Sequence, residues 1–333
     1  MSGPLISACV TFSKFLNITA SFAVVGTLLA MAFLLLDSEG KLSTSAQKLR
    51  FLLQLSAIFW LIGSVGTIFF TLADILGQSF TAALDPTVMR SFLTQVTLGQ
   101  YLLFQTLISV IALLSAKKIQ RINTTIALLM LTIIGIVAPI FQSHSASSGS
   151  HSLAIGSLVI HVVGLALWVG GIFSMIFMDS EDRIIAVPRF SVLALWSAIA
   201  VVASGSANAW ARLDFKSAWH TTYALVVIAK IVLTIALLAM GYVHRRNLSK
   251  KVAINWVALM RLIAVEAVVM VSALVLGAWL STNRAPVRNS NESFNAALTV
   301  AGIQTPEPPT LSRILLSYEP DALMIGLLVI AVA

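Results

Sequence analysis

Three histidines, His144, His151 and His161, run out of a polar loop and into a strongly apolar segment, SHSASSGSHSLAIGSLVIHVVGLALWVGG, from Ser143 to Gly171. An ionisable ring in hydrocarbon is costly and is normally held by a partner, an ion or a wet path, so His161 marks a functional site. Imidazole is neutral near pH 7 and is a good ligand for copper, zinc, iron and nickel. The serines and the glycine between His144 and His151 make a loop pliable enough to bring both rings onto one ion. His220 joins these as a metal candidate at the same membrane face, and solvated surface histidines are the competing account. His244, beside Arg245 and Arg246, reads as the basic end of its helix.

Two charged residues fall inside later apolar runs. Lys230 and Glu266 come out at similar depth on consecutive antiparallel helices, so the sequence predicts that they face one another. They serve either as a structural ion pair that fixes helix register or as part of an ion path with His161. Met175, Met178, Met240 and Met260 offer thioether sulfur suited to Cu(I), although flexible filling between helices is the simpler account. The single Cys9 excludes paired-thiolate chemistry, and no HExxH helix supports a zinc hydrolase. No enzymatic reaction is read from these residues.

The elements that must position these side chains are membrane spans. Of the 333 residues, 58% are hydrophobic and only 10% charged, with a mean hydropathy of +0.95; this composition excludes a soluble domain. Apolar runs at 18–36, 51–73, 96–116, 125–141, 153–178, 190–208, 221–243 and 257–280 predict an all-α, polytopic transmembrane bundle of about eight spans. The run 322–333 reads as the start of a ninth. The net charge of +8 reports basic loops rather than a nucleic-acid partner. Lys41, Lys48, Arg50, Lys117, Lys118, Arg121, Arg183, Arg189, Arg245, Arg246, Lys250 and Lys251 occupy alternate loops, which predicts those loops inside and the N-terminus outside. The His144–His151 loop, His220 and a Pro-rich linker at 287–321 then face the exterior. The expected units are an N-terminal region of about four spans (1–142), a second four-span domain (143–286), the linker, and the terminal helix start.

From His144 to Pro286 the chain resembles the copper-resistance D (CopD) family of bacterial inner-membrane proteins. The resemblance is carried by HVVGLALWVGG, RFSVLAL with ASGSANAWARL, TTYALVVIAK, RLIAVEAVV and the closing STNRAP. The loop histidines are similar to the actinobacterial form fused to a CtaG-like cytochrome c oxidase assembly domain, and SYEPDALMIGLLVIAVA resembles the start of that domain, nearly all of which is missing. Two positions depart from the family pattern: Ala224 after Tyr223, and Ser143 before the loop histidine.

The resemblance implies copper transport or supply at the bacterial cytoplasmic membrane, and a site drawn from His161, Lys230 and Glu266. Partners would be copper, lipid, and either cytochrome c oxidase or an extracytoplasmic copper carrier. The competing reading is a b-type cytochrome with haem b held by histidines; a metal-free assembly factor is a third. Bis-histidine ligation needs two rings at equal depth on facing helices, and His161 has no such partner in the sequence.

Overall fold

The computed structural model describes residues 3–35, 37–77, 80–142, 151–212, 221–249 and 256–282, and they form an all-α bundle. The long helices are α1 (Gly3–Leu29, prolonged by a π turn, Ala30–Leu34), α3 (Arg50–Leu76), α6 (Thr97–Ala116), α7 (Ile122–Val137), α8 (His151–Ile176), α9 (Ser180–Arg212), α10 (Thr222–Ser249) and α11 (Trp256–Thr282). Short helices α2 (Thr44–Lys48), α4 (Phe80–Ala83) and α5 (Pro86–Gln95) connect them. Seven helical segments are long and apolar enough to cross a membrane, and α11 adds a shorter apolar stretch, Val265–Ser281. The linker and the run 322–333 lie outside the described residues.

The first helix begins at Gly3, fifteen residues before the apolar run that announces it. The reason is burial: Ser13, Asn17 and Ser21 depress the local hydropathy, yet they face protein rather than lipid. This helix packs against α3, α7, α8 and α11 and forms the centre of the bundle. Its tightest crossing is with α8. A Cβ added at Gly26 would collide with the Gly170 backbone, and one at Gly170 with the carbonyl of Phe22. Small residues let helix backbones approach closely where hydrocarbon supplies no hydrophobic drive. The expected boundary near residue 142 does not divide the core, since one apolar cluster runs from Phe22 on α1 to Leu274 on α11.

The two ends of the bundle differ. At the end opposite the N-terminus, strands β1 (Asp37–Ser38) and β2 (Lys41–Leu42) form a small hairpin. Its two-residue turn, Glu39–Gly40, has positive φ at both positions, 51° and 76°, as a tight hairpin requires. The hairpin is tied to the α6–α7 connection by Leu42 N–H donating to Gln120 O at 2.9 Å and Ile122 N–H to Gly40 O at 3.1 Å. Lys48 Nζ meets Asp179 Oδ2 at 2.6 Å, joining α2 to the α8–α9 turn. Arg189 donates to the carbonyls of Leu34 and Leu35 at the end of the π turn, at 3.5 and 3.4 Å.

At the N-terminal end, α5 is a surface helix where the sequence suggested only a loop. Asp85 caps it by accepting from Thr87 N–H at 2.8 Å and Val88 N–H at 3.2 Å, and Pro86 occupies its first turn. Its apolar side packs Phe92, Val88, Met89 and Leu93 against Ile6, Val10, Leu72 and Leu102.

Candidate functional site

Helices α8 and α9 form an antiparallel pair joined by a tight turn at 177–179, and the facing sides of their N-terminal-end halves carry matched polar residues. On α8 these are Ser157 and His161; on α9 they are Ser204 and Asn208. Each pair is spaced four residues apart, which stacks both members on one helix face. The antiparallel register sets His161 opposite Ser204 and Ser157 opposite Asn208.

The deeper rung is centred on the imidazole. His161 Nδ1 lies 3.0 Å from Val201 O and 3.2 Å from Ser204 Oγ. A backbone carbonyl only accepts, so the neutral ring must carry its proton on Nδ1 and donate it there. This fixes the tautomer and leaves the Nε2 lone pair available. Ser204 Oγ donates to the α9 carbonyls of Ala200 and Val201, which leaves its oxygen as an acceptor for the ring. Gly205 makes the space: a Cβ there would stand 3.2 Å from His161 Cε1. Toward the N-terminal end, Asn208 Nδ2 donates to Ala154 O at 3.2 Å and to Ser157 Oγ at 3.4 Å. Ser157 and Ser204 are buried, at 3% and 4% exposure, so both rungs sit inside protein rather than at a lipid surface.

Lys230 comes from α10, half-buried, and its charge reaches the His161 ring. Its ammonium is housed beside Gly277 on α11, where an added Cβ would lie 3.4 Å from Nζ. Glu266 is also buried, at 5% exposure. It lies eleven residues from Gly277 on the same helix, about 16 Å along the axis. The ammonium and this carboxylate therefore stand at different levels of the bundle and do not form the direct pair that equal depth suggested. Counted from the same end, Lys230 lies nine residues into its run (221–243) and Glu266 fourteen residues into its own (257–280), a difference of about 7 Å that the lysine stem then widens.

The other expected residues are dispersed. Met175 and Met178 are buried in the main apolar cluster, and Met240 packs against it. Met260 lies in α11 and His244 in α10, and His151 opens α8; their side chains lie outside the described set, as do His144 and His220 altogether. Among the described residues, no three His, Cys, Asp or Glu side chains gather to hold a metal ion. Nothing in this arrangement supports the haem alternative. The sequence already marks the polar SGSAN run, Ser204 to Asn208, as able to converge with the histidines, but it does not single out Ser157 or Gly277. The four-residue spacing of Ser157 and His161, matched by that of Ser204 and Asn208, is the signal that would have revealed Ser157.

Comparison with known families agrees with the sequence resemblance and extends it. Residues 184–280 match the model described as copper resistance protein D, and residues 5–153 match the copper resistance protein D-like N-terminal domain. Copper transport protein CutJ of Bacillus subtilis (strain 168) is 25% identical over 138 residues, covering 36% of this chain and 26% of that protein. The chain thus aligns with about a quarter of that relative's length. No solved structure matches. His161 and Gly170, both on α8, lie between the two matched regions, and Gly26 lies within the first; the chain is a multi-pass membrane protein of the copper resistance protein D family.

Proposed function

We propose that this protein carries copper ion across or along the bacterial cytoplasmic membrane as a non-enzymatic transporter or supplier, with His161 as the central ligand. The observation that carries this reading is the held ring. Its Nδ1–H is bound to Val201 O, its Nε2 lone pair is left for a metal, and the Ser157–Asn208 rung leads to it from the bundle end. Copper is the cargo favoured by the family and by the printed name of the relative.

On this reading the N-terminus is outside, by the asymmetry of basic loops. His144, His151 and His220 capture the ion at that face, and His161 receives it. Lys230 and Glu266 then act at successive levels: the ammonium sets the charge the cargo must overcome near His161, and the carboxylate compensates the cation farther along. Met175, Met178 and Met240 fill the core rather than ligate, consistent with their packing. Onward delivery goes to cytochrome c oxidase assembly or to an extracytoplasmic copper carrier.

The test is metal content and affinity. Purified protein should bind copper and show no Soret absorption, and His161→Ala should lose most of the affinity while inserting normally. Unchanged copper affinity in that variant would overturn the assignment. A Soret band in the native protein would favour haem b.

A further inference from the structure

A second buried polar seam, unrelated to the histidines, lies between α1, α3 and α6. Asn17 Nδ2 donates to Gln105 Oε1 at 3.0 Å, and Ser64 Oγ donates to Asn17 Oδ1 at 3.1 Å, which links three helices through side chains that are 6%, 5% and 1% exposed. The seam continues along α3. Trp60, Ser64, Thr67, Thr71 and Asp74 follow at spacings of four, three, four and three, which puts all five on one face. Lys14, Asn17 and Ser21 share a face of α1 in the same way, and Lys14 is within coulombic reach of the exposed Asp74 at the N-terminal end.

Two features set this seam apart from a register device that is complete in itself. Trp60 is fully buried, and among the described residues its indole N–H has no hydrogen-bond partner; the buried hydroxyl of Thr71, farther up the same face, has none there either. A buried donor left unmet is costly, and ordered water is the usual remedy where neighbouring groups can accept. Ser64 Oγ, one turn above Trp60, is such an acceptor. Below Trp60 the same faces turn apolar: Ala57 and Leu53 on α3, and Val24, Val25 and Leu28 on α1, all at 0% exposure.

We propose that this seam is a half-channel for ordered water, reached from the N-terminal end past Thr71 and Ser64, ending at the Trp60 indole and closed beneath by Ala57 and Leu53. Its donors are neutral oxygens without imidazole or thioether, so it suits water and not a soft copper ion.

Thiol reactivity tests it, because the thiolate, which forms in contact with water, attacks the methanethiosulfonate sulfur and expels methanesulfinate. With Cys9→Ser as background, Ser64→Cys in oriented membrane vesicles should react with a small cationic methanethiosulfonate from the N-terminal face only. Leu53→Cys should react from neither face. Complete labelling after denaturation in SDS shows that each protein is present. Should Ser64→Cys fail to accumulate, Thr67→Cys, on the same face, makes the same test. Protection of the seam cysteine from both faces, or labelling from both, overturns the half-channel.

Discussion

The α1–α3–α6 seam and the α8–α9 seam occupy the same half of the bundle, toward the N-terminal end, and use opposite chemistry. The first is built on neutral amides and hydroxyls, in which Asn17, Gln105 and Ser64 bond to one another across three helices. The second spends most of its hydrogen bonds on orienting a single ring: Val201 O and Ser204 Oγ both hold His161 Nδ1. What differs is the atom left over. In the first seam it is a donor, the Trp60 N–H; in the second it is the lone pair on Nε2. A donor calls for water or an anion, and a lone pair calls for a cation. Polar residues in a membrane bundle thus need sorting by what remains unsatisfied after the helices have packed.

The largest effect should come from the crossing that both seams depend on. Gly170→Leu would drive a side chain into the α1 backbone at Phe22. Overpacking typically costs about 1–3 kcal/mol, and here the obstacle is backbone; folded protein recovered from membranes should fall severalfold. Gly241, on α10, has open space around it. Gly241→Ala should leave yield unchanged or raise thermal stability, by up to about 1 kcal/mol from helix propensity. Equal losses in the two variants would show that the crossing is not tight.

Next comes the division of labour between the seams. His161→Ala should reduce copper affinity by more than the roughly 10–100-fold that follows from disturbing a residue that only orients a ligand. Ser204→Ala should fall within that range, since Val201 O still holds the ring. Asn17→Leu should leave copper affinity unchanged. A copper defect in Asn17→Leu as large as that in His161→Ala would erase the distinction.

A smaller effect is expected inside the first seam itself. Asn17→Leu alone strands Gln105 and Ser64 and should cost about 1–3 kcal/mol of stability. Asn17→Leu with Gln105→Leu removes both amides and should recover part of that loss, because polar contacts between membrane helices average only about 0.6 kcal/mol. Thermal unfolding in detergent reads the difference. A double variant less stable than the single one would mean that the amides do more than satisfy each other.

The smallest effect lies at the far end, where Lys48 holds Asp179 in full solvent. The hydrogen bond from Lys48, followed by its charge, lowers the Asp179 pKa below the ordinary carboxylate value. A carboxyl whose pKa is depressed in the folded state stabilises it above the unfolded pKa, and that contribution fades as pH falls through the folded pKa. Asp179→Asn should therefore lower the melting temperature slightly at neutral pH and low salt. The difference should vanish in acid and in high salt, where exposed pairs are screened. A salt-independent difference would point to a packing role for Asp179 instead.

The sequence by itself determined that this is a multi-span all-helical membrane protein, and it determined which polar residues lie inside the apolar runs. Both are local properties, since about 20 consecutive residues decide whether a segment can span a bilayer. His161 was legible for that reason, as a costly side chain in hydrocarbon. The resemblance in HVVGLALWVGG and ASGSANAWARL supplied the family.

Tertiary structure alone decided the rest. Residues 5–17 became part of a span, with the Ser13 hydroxyl and the Asn17 amide facing other helices, although an average over hydropathy counts those groups against it. Lys230 and Glu266 both lie well inside their runs, but the packing of α10 on α11 sets the ammonium beside Gly277, eleven residues from the carboxylate. The partners of His161 sit about forty residues away on α9, and those of Asn17 on α3 and α6. Which faces meet depends on helix rotation and on where backbones can touch, as at Gly26 and Gly170. Those are relations between distant segments, and a run of neighbouring residues does not encode them.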